Sequence, residues 1–466
     1  MNRSPERGAP AHAGSAVLPE AGALALFTDL YELKMLQAYQ EEGMEQDATF
    51  SLFVRRLPES RNYLLACGLD TVLEFLERLR FTEDDIRYVA SLGGFSPRFL
   101  DSLRAFRFTG EVHAVPEGTP VFANEPILEV VAPIAQGQLI ETLVMNQVHL
   151  QTLLASKAAR VVAAARGRTV VDFGARRMHG IDAALKAARA FHIAGVGSTS
   201  NVVAGRAWGI PVAGTMAHSY IQAHDSEEAA FEKFAALYPD TILLVDTYDT
   251  LAGVRRVIDL ARRLGGKFRV SAVRLDSGDL AALAKQSRAL LDAAGLQRVK
   301  IFASGGLDED EVAKMLDGGA PVDGFGVGTA MGVSEDKPAL DIAYKLSEYA
   351  GKGRLKLSTG KPVLPGRKQI FRREDGGRAA GDTIGCDEET LPGRLLMRTV
   401  MENGRRLPGA APSLAEIRAH AERETALLPD RVRHITPARP PYAVEISARL
   451  QAKQDRIARE ITAPMR

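Results

Sequence analysis

The segment Lys300-Ile301-Phe302-Ala303-Ser304-Gly305-Gly306-Leu307-Asp308 runs apolar for a few residues and then stops at a serine and two glycines. It reads as a buried strand ending in a tight loop, because glycines let backbone N–H groups turn inward with no side chain in the way. The next β-rich run, 324–332, has the same form, with Gly326-Val327-Gly328-Thr329 at its tip. Toward the N-terminus, similar runs occur at 169–176, 193–200, 210–218, 241–249 and 270–279, alternating with helical patterns. Strand then helix, repeated about seven times, predicts a parallel sheet with crossover helices. That number of units favours a closed or nearly closed barrel, with a doubly wound open sheet as the alternative.

The flanks read differently. Apolar residues at helical spacing follow Thr28-Asp29-Leu30-Tyr31-Glu32, so a helix opens there with Tyr31 in its first turn. Residues 48–54 read as a strand, 69–79 as a helix, 112–131 as short strands broken by Gly118, Pro120 and Pro126, and 141–165 as a long helix. The expected fold class is α/β: an irregular, about seven-stranded α/β barrel over 146–340, with an α+β N-terminal domain over 23–145 completed by C-terminal segments over 341–466. Residues 1–22, rich in Ala, Gly, Pro and charge, are expected to form a mobile tail. Within the barrel, Asp225-Ser226-Glu227-Glu228 reads as a capping box before a helix over 229–237.

With 466 residues and 46% hydrophobic content the chain can bury a sizeable core, and a net charge of +1 provides no global field for nucleic acid. An anionic ligand must therefore be met locally. The two cysteines, Cys67 and Cys386, lack metal-ligand or CxxC spacing and read as plain thiols of a reducing compartment. No apolar run is long enough to span a membrane and no signal core is present, so a soluble cytoplasmic protein is expected.

In a barrel every strand points its C-terminal end at one face, so the seven tips form one inventory. The glycine loops at Ser304-Gly305-Gly306 and Gly328-Thr329, on consecutive late strands and before helix N-termini, are a phosphate seat. Arg274-Leu275-Asp276-Ser277-Gly278-Asp279 sets two carboxylates around a turn beside an arginine, suited to sugar hydroxyls and to water on Mg²⁺. Asp279 is equally well read as a solvated residue. Phe173 with Arg176 and Arg177 combines a flat apolar face with cations, the combination that holds an aromatic acid. One of the two arginines is expected to be solvated. At Gly214-Thr215-Met216-Ala217-His218 an apolar run stops at an imidazole, the side chain suited to proton or phosphoryl traffic near neutral pH.

Together these tips resemble those of the nicotinate phosphoribosyltransferases, a type II phosphoribosyltransferase family. The match runs from Thr28-Asp29-Leu30-Tyr31 through 172–177, Ser200-Asn201, 214–220, 274–279, 304–306 and 326–329 to Leu364-Pro365-Gly366-Arg367-Lys368-Gln369-Ile370-Phe371. The resemblance implies that nicotinate attacks C1 of phosphoribosyl pyrophosphate to give nicotinate mononucleotide and pyrophosphate, in NAD salvage, with Mg²⁺ and with ATP hydrolysis coupled through a phosphohistidine at His218. It implies that Phe173 and a partner subunit's counterpart of Tyr31 sandwich the pyridine ring in a homodimer with shared sites. It further implies that Arg176, Ser200, Asn201 and Thr215 meet substrate, that Arg274 lies between carboxylate and phosphoribosyl groups, and that Asp276 holds the ribose. Ser304, Gly305, Gly306, Gly328 and Thr329 are then the seat of the 5′-phosphate. His179, His192 and His224 are the reserve histidines.

Three other readings compete. A nicotinamide phosphoribosyltransferase resembles the chain at Asp172-Phe173-Gly174 and 274–279, but carries an acid near the tip where this sequence has Thr199-Ser200-Asn201; an acid there would repel a carboxylate. A quinolinate phosphoribosyltransferase would need more cations for a second carboxylate. A catalytically silent ligand-sensing barrel has no need of His218, Asp276 and both glycine loops together.

Overall fold

The computed structural model describes residues 24–357 and 363–463. The expected tail at 1–22 lies outside them. The α/β centre is a six-stranded parallel sheet that curls into a half-barrel. Its order is Ser198–Thr199, Thr169–Asp172, Gly324–Val327, Lys300–Ser304, Ala272–Leu275 and Ile242–Leu244. The run at 210–218 joins it through a single parallel bridge, Thr199 to Val212. Pro211 has no N–H for a ladder and Gly214 follows, so this segment does not extend into a full strand. His218 accordingly opens a short helix, His218–Gln222, rather than ending a strand.

Most helices that return to the sheet start on a side-chain cap. Asn201, Ser226, Asp249, Asp279 and Asp308 each accept the backbone N–H three residues on, and such a cap is worth about 1 kcal/mol. The capping box read at Asp225–Glu228 reduces to the Ser226 cap, because its third helical position is Ala229, which has no carboxylate to return the bond.

A second, seven-stranded antiparallel sheet takes strands from both ends of the chain. Asp47–Val54 pairs with Pro126–Pro133 on one side and Ile342–Tyr349 on the other, and Glu111–Ala114 pairs with Arg398–Glu402. The buried helix Glu141–Ala164 joins the two layers. Leu143, Val144, Val148 and Leu153 pack into the core of the antiparallel sheet, and Leu154, Ala155, Ala158 and Val161 into that of the parallel sheet. Arg372, fully buried beside the stacked rings of Phe122 and Tyr442, donates to Asp382 and to the Pro120 carbonyl, which fastens the C-terminal segments to the N-terminal ones. No helix among the described residues is long and apolar enough to cross a membrane.

One reserve histidine is structural. His192 closes helix Ile181–Ile193, and Arg418 bonds its ring, its carbonyl and the carbonyls of Gly195 and Val196. Burial, and then the Arg418 charge, depress its pKa from 6.5 to about 4. The unfolded chain therefore takes up a proton between these values that the folded chain refuses, so stability is lost as pH falls through that window. Burial lowers His149 and His420 in the same sense. The thermal midpoint should fall from pH 7 to 5, and His192→Gln should reduce the slope; a slope unchanged in the variant refutes the assignment.

Candidate active site

The parallel strands deliver their C-terminal ends to one face, where Arg274 is the organising group. Its Nε donates to Ser304 Oγ at 2.8 Å, one terminal nitrogen donates to Thr215 Oγ1 at 2.8 Å and the other to Asp276 Oδ1 at 2.8 Å. Ser304, only 2% exposed, donates in turn to Asp276 Oδ1. This closed cycle of arginine, serine and carboxylate comes from two adjacent strands whose registers set Phe302 opposite Arg274. Burial pushes the Asp276 carboxyl up, but the hydrogen bonds from Arg274 and Ser304 and the nearby charges outweigh it and hold the group below its ordinary range. Asp276 is therefore an anion throughout the neutral range.

His218 stands beside this cycle. Its Nε2 is 3.9 Å from Asp276 Oδ2, too far for a direct hydrogen bond, and its Nδ1 is 3.0 Å from Thr247 Oγ1. If the proton sits on Nδ1 and is donated to Thr247, the Nε2 lone pair is left facing the mouth. Asp246 completes the floor. Its Oδ2 accepts from the Asp276 N–H at 2.8 Å and from Ser277 Oγ at 2.6 Å, while its Oδ1 is buried without a partner. Asp246 and Thr247 form the tip next in chain order after His218, a position a barrel brings alongside. That adjacency was the sequence signal for them, although neither residue is chemically distinctive alone.

The glycines at the phosphate loops serve different needs. Gly305 has φ +93°, and a Cβ there would lie 1.9 Å from the Asp276 carbonyl oxygen. Gly306 has φ +65° and open space where a Cβ would point. Both arginines of the pair are exposed, and across the mouth Arg177 donates to Thr329 Oγ1 at 3.0 Å. Arg177, the member of the pair that the resemblance leaves without a role of its own, reaches the glycine loop of the last strand. Phe173 lies under the Arg274 guanidinium, 5.3 Å from the ring centroid.

Other sequence candidates sit at the rim. Asn201 uses its side-chain oxygen to cap helix Val202–Trp208, and the Ser200 N–H donates to the Asp172 carbonyl. Asp172 is fully buried, bonded to Gly174 N–H and Thr199 Oγ1, with its carboxyl pushed up by burial. Asp279 is exposed and caps helix Leu280–Ala293 through Oδ1. Tyr31, half exposed at the start of helix Leu30–Glu41, is held by burial and by Glu141 with its hydroxyl protonated, and no ring contact joins it to Phe173 within the chain. His179 is exposed, and His224 bonds the Tyr220 carbonyl. Lys368 is buried away from the mouth, bound to Ser51, Glu129 and the carbonyls of Leu364 and Gly366. It is a tether between the C-terminal loop and the antiparallel sheet.

Two family models match, the nicotinate phosphoribosyltransferase N-terminal domain over residues 26–149 and the nicotinate phosphoribosyltransferase family over 169–389. A nicotinate phosphoribosyltransferase of Mycobacterium tuberculosis is 56% identical, over 94% of this chain and 95% of its own. One from Bacillus subtilis is 40% identical over 80% and 79% of the two chains. The human nicotinic acid phosphoribosyltransferase structure superposes with a TM-score of 0.81 and 29% identity, over 93% of this chain and 100% of that one. A nicotinate-nucleotide pyrophosphorylase from Pyrococcus furiosus has a TM-score of 0.71 at 26% identity, over 90% and 98% of the chains. Because the bacterial similarity extends along nearly the whole of both chains and takes in every strand tip that forms the mouth, this chain belongs to the nicotinate phosphoribosyltransferase family.

Proposed function

We propose that the mouth of the parallel sheet joins nicotinate to phosphoribosyl pyrophosphate in NAD salvage, and that His218 couples the reaction to ATP. The observation that carries this reading is the Arg274–Ser304–Asp276 cycle, set between a flat aromatic ring and two glycine loops, with an imidazole alongside. The nicotinate ring nitrogen attacks C1 of the ribose while the bond from C1 to the pyrophosphate oxygen breaks, and no proton need move. The barrier is lowered by orientation and by charge opposite the oxocarbenium-like centre. Asp276, anionic and held on two sides, supplies that charge and an acceptor for ribose hydroxyls. Arg274 bridges the ring platform and the phosphoribosyl group, and Arg177, Thr329, Gly305 and Gly306 surround the 5′-phosphate. Preference for the acid over the amide is supported at the 199–201 tip, where the nearest acid, Asp172, is turned inward and offers a substrate carboxylate no exposed charge.

Among the described residues no group of three or more metal-ligating side chains is gathered. The donors at the mouth fit a Mg²⁺ held mainly by pyrophosphate oxygens, with Asp279, exposed and capping through Oδ1, the accessible carboxylate, and Asp246 Oδ1 unpartnered but buried. When bound, Mg²⁺ would neutralise charge on the leaving pyrophosphate. In the ATP half-reaction His218 Nε2 would take the γ-phosphoryl group, releasing ADP, with Thr247 holding the opposite nitrogen.

A cytoplasmic homodimer is part of the proposal, with Tyr31 completing the partner's site. Tyr31 is half exposed far along the chain from Phe173, and Ile181, Val202, Val203 and Val212 are exposed beside the mouth. We further infer that 210–218 completes the barrel wall, and that 23–145 and 341–466 form one α+β domain.

The test is production of nicotinate mononucleotide from nicotinate, phosphoribosyl pyrophosphate and Mg²⁺, with and without ATP. No product under either condition would refute the reading, and equal turnover of nicotinamide would refute its specificity. With His218→Ala the rate in ATP should fall to the rate without ATP, with the KM for nicotinate little changed. Acid-labile phosphoprotein still accumulating in that variant would mean that another residue carries the phosphate.

A further inference from the structure

The strand Gly324–Val327 alternates glycine and bulk, and its two glycines lie on the same side of the sheet as Arg274, Phe302 and Ser304. Register sets Gly324 between Phe302 and Thr169, and Gly326 between Ser304 and Val171. Each glycine leaves a hollow that an aromatic ring fills. A Cβ at Gly324 would lie 2.6 Å from Cε2 of Phe302, and one at Gly326 would lie 2.5 Å from Cδ2 and Cε2 of Phe173. The two rings meet at 6.5 Å between centroids, tilted by 52°, and the Arg274 guanidinium lies over the Phe173 ring. Phe173 has no polar atom with which to fix its ring, so its position is decided by these three non-bonded neighbours. On its far side Phe302 lines a cavity of about 460 Å³ with Thr169, Ile242, Ala272 and Lys300. The Phe302 ring itself, with no packed layer beneath it at that point, is therefore the support.

We propose that Gly326 and Phe302 are positioning residues, which set the height of the Phe173 ring and hence the depth of the slot that receives the substrate's aromatic ring. The proposal rests on the reading of Phe173 as the stacking platform. A methyl group at Gly326 must push the ring out by about 1 Å to restore ordinary carbon–carbon contact, which narrows the slot. Shortening Phe302 lets the platform sink and widens it. The same methyl group would lie 3.1 Å from Ser304 Cβ, a milder contact than the 2.5 Å to the ring, so the larger effect should fall on the aromatic substrate.

The experiment compares steady-state constants for both substrates in the intact enzyme. Gly326→Ala should raise the KM for nicotinate about tenfold and leave the KM for phosphoribosyl pyrophosphate within twofold. Phe302→Leu should raise the nicotinate KM about threefold with no overpacking of the core, which keeps the proposal testable if Gly326→Ala folds poorly. Gly324→Ala, whose new Cβ would crowd the Phe302 ring at 2.6 Å, should also raise the nicotinate KM by displacing the support of Phe173. Phe302→Leu placed in the Gly324→Ala background should bring the nicotinate KM back toward that of the unmodified enzyme, a coupling expected only of groups in contact. Equal rises in both KM values, an unchanged nicotinate KM in Gly326→Ala and Phe302→Leu, or strictly additive effects in the double variant would each overturn the proposal. Phe173→Leu separates the two layers of argument. A raised nicotinate KM there with none in Gly326→Ala refutes the positioning role alone. An unchanged one removes the platform, and the proposal with it.

Discussion

Asp276→Asn should lower kcat/KM for phosphoribosyl pyrophosphate by about 10³-fold, at the upper end of what removal of one preorganised electrostatic partner costs, while leaving the fold intact. The substitution is close to isosteric. Its amide oxygen can still accept from Arg274 and Ser304, which both converge on Oδ1, while the amide nitrogen takes the place of Oδ2 facing His218. The scaffold is thus kept and the negative charge is lost, leaving the Arg274 guanidinium uncompensated where positive charge develops at C1. Because Arg274 and Ser304 hold the Asp276 carboxyl below its ordinary range, the unmodified enzyme should show no loss of activity from its protonation between pH 5 and 9. Steady-state kinetics with a melting curve as control provides the check. A variant within tenfold of the parent enzyme would mean that the cycle is only a structural brace.

The tips were legible in the sequence because their chemistry is discontinuous with what precedes it. Each changes from branched apolar residues to glycine, hydroxyl or charge within two or three positions, as at Ser304-Gly305-Gly306 and Arg274-Leu275-Asp276. Strand 210–218 was over-read because apolar character and hydrogen-bonded pairing are separate properties, and Pro211 and Gly214 supply the first without supporting the second. Arg176 and Arg177 could not be told apart, since which of two adjacent side chains faces the mouth depends on the short turn Ala175–Arg177 that follows Gly174. The caps at Asn201 and Asp279 illustrate the same limit. A residue at a βα junction stands both at the mouth and at a helix start, and only coordinates show which of the two its side chain serves.

The second large effect concerns the loop after strand Lys300–Ser304, where two neighbouring glycines should respond differently to the same methyl group. In Gly305→Ala the new Cβ meets the Asp276 carbonyl oxygen at 1.9 Å, and φ +93° adds strain. The obstructing atom is backbone, and the Asp276 N–H is itself fixed to Asp246, so neither side can yield cheaply. A cost of about 3 kcal/mol is expected from overpacking and the unfavourable dihedral together. With it the Arg274–Ser304–Asp276 cycle should come apart and the KM for phosphoribosyl pyrophosphate should rise about 10²-fold. Gly306→Ala faces only the cost of a left-handed residue, about 1 kcal/mol, because nothing lies within 4 Å of its Cβ position. That open volume is where the 5′-phosphate is proposed to sit, so this variant should melt close to the parent enzyme and still show a tenfold higher KM for phosphoribosyl pyrophosphate. Melting curves and KM measured on both variants separate turn formation from ligand seating. If Gly306→Ala binds phosphoribosyl pyrophosphate normally, the loop is a turn that shapes Asp276, and the phosphate must be held elsewhere, with Arg177 and Thr329 the first place to look.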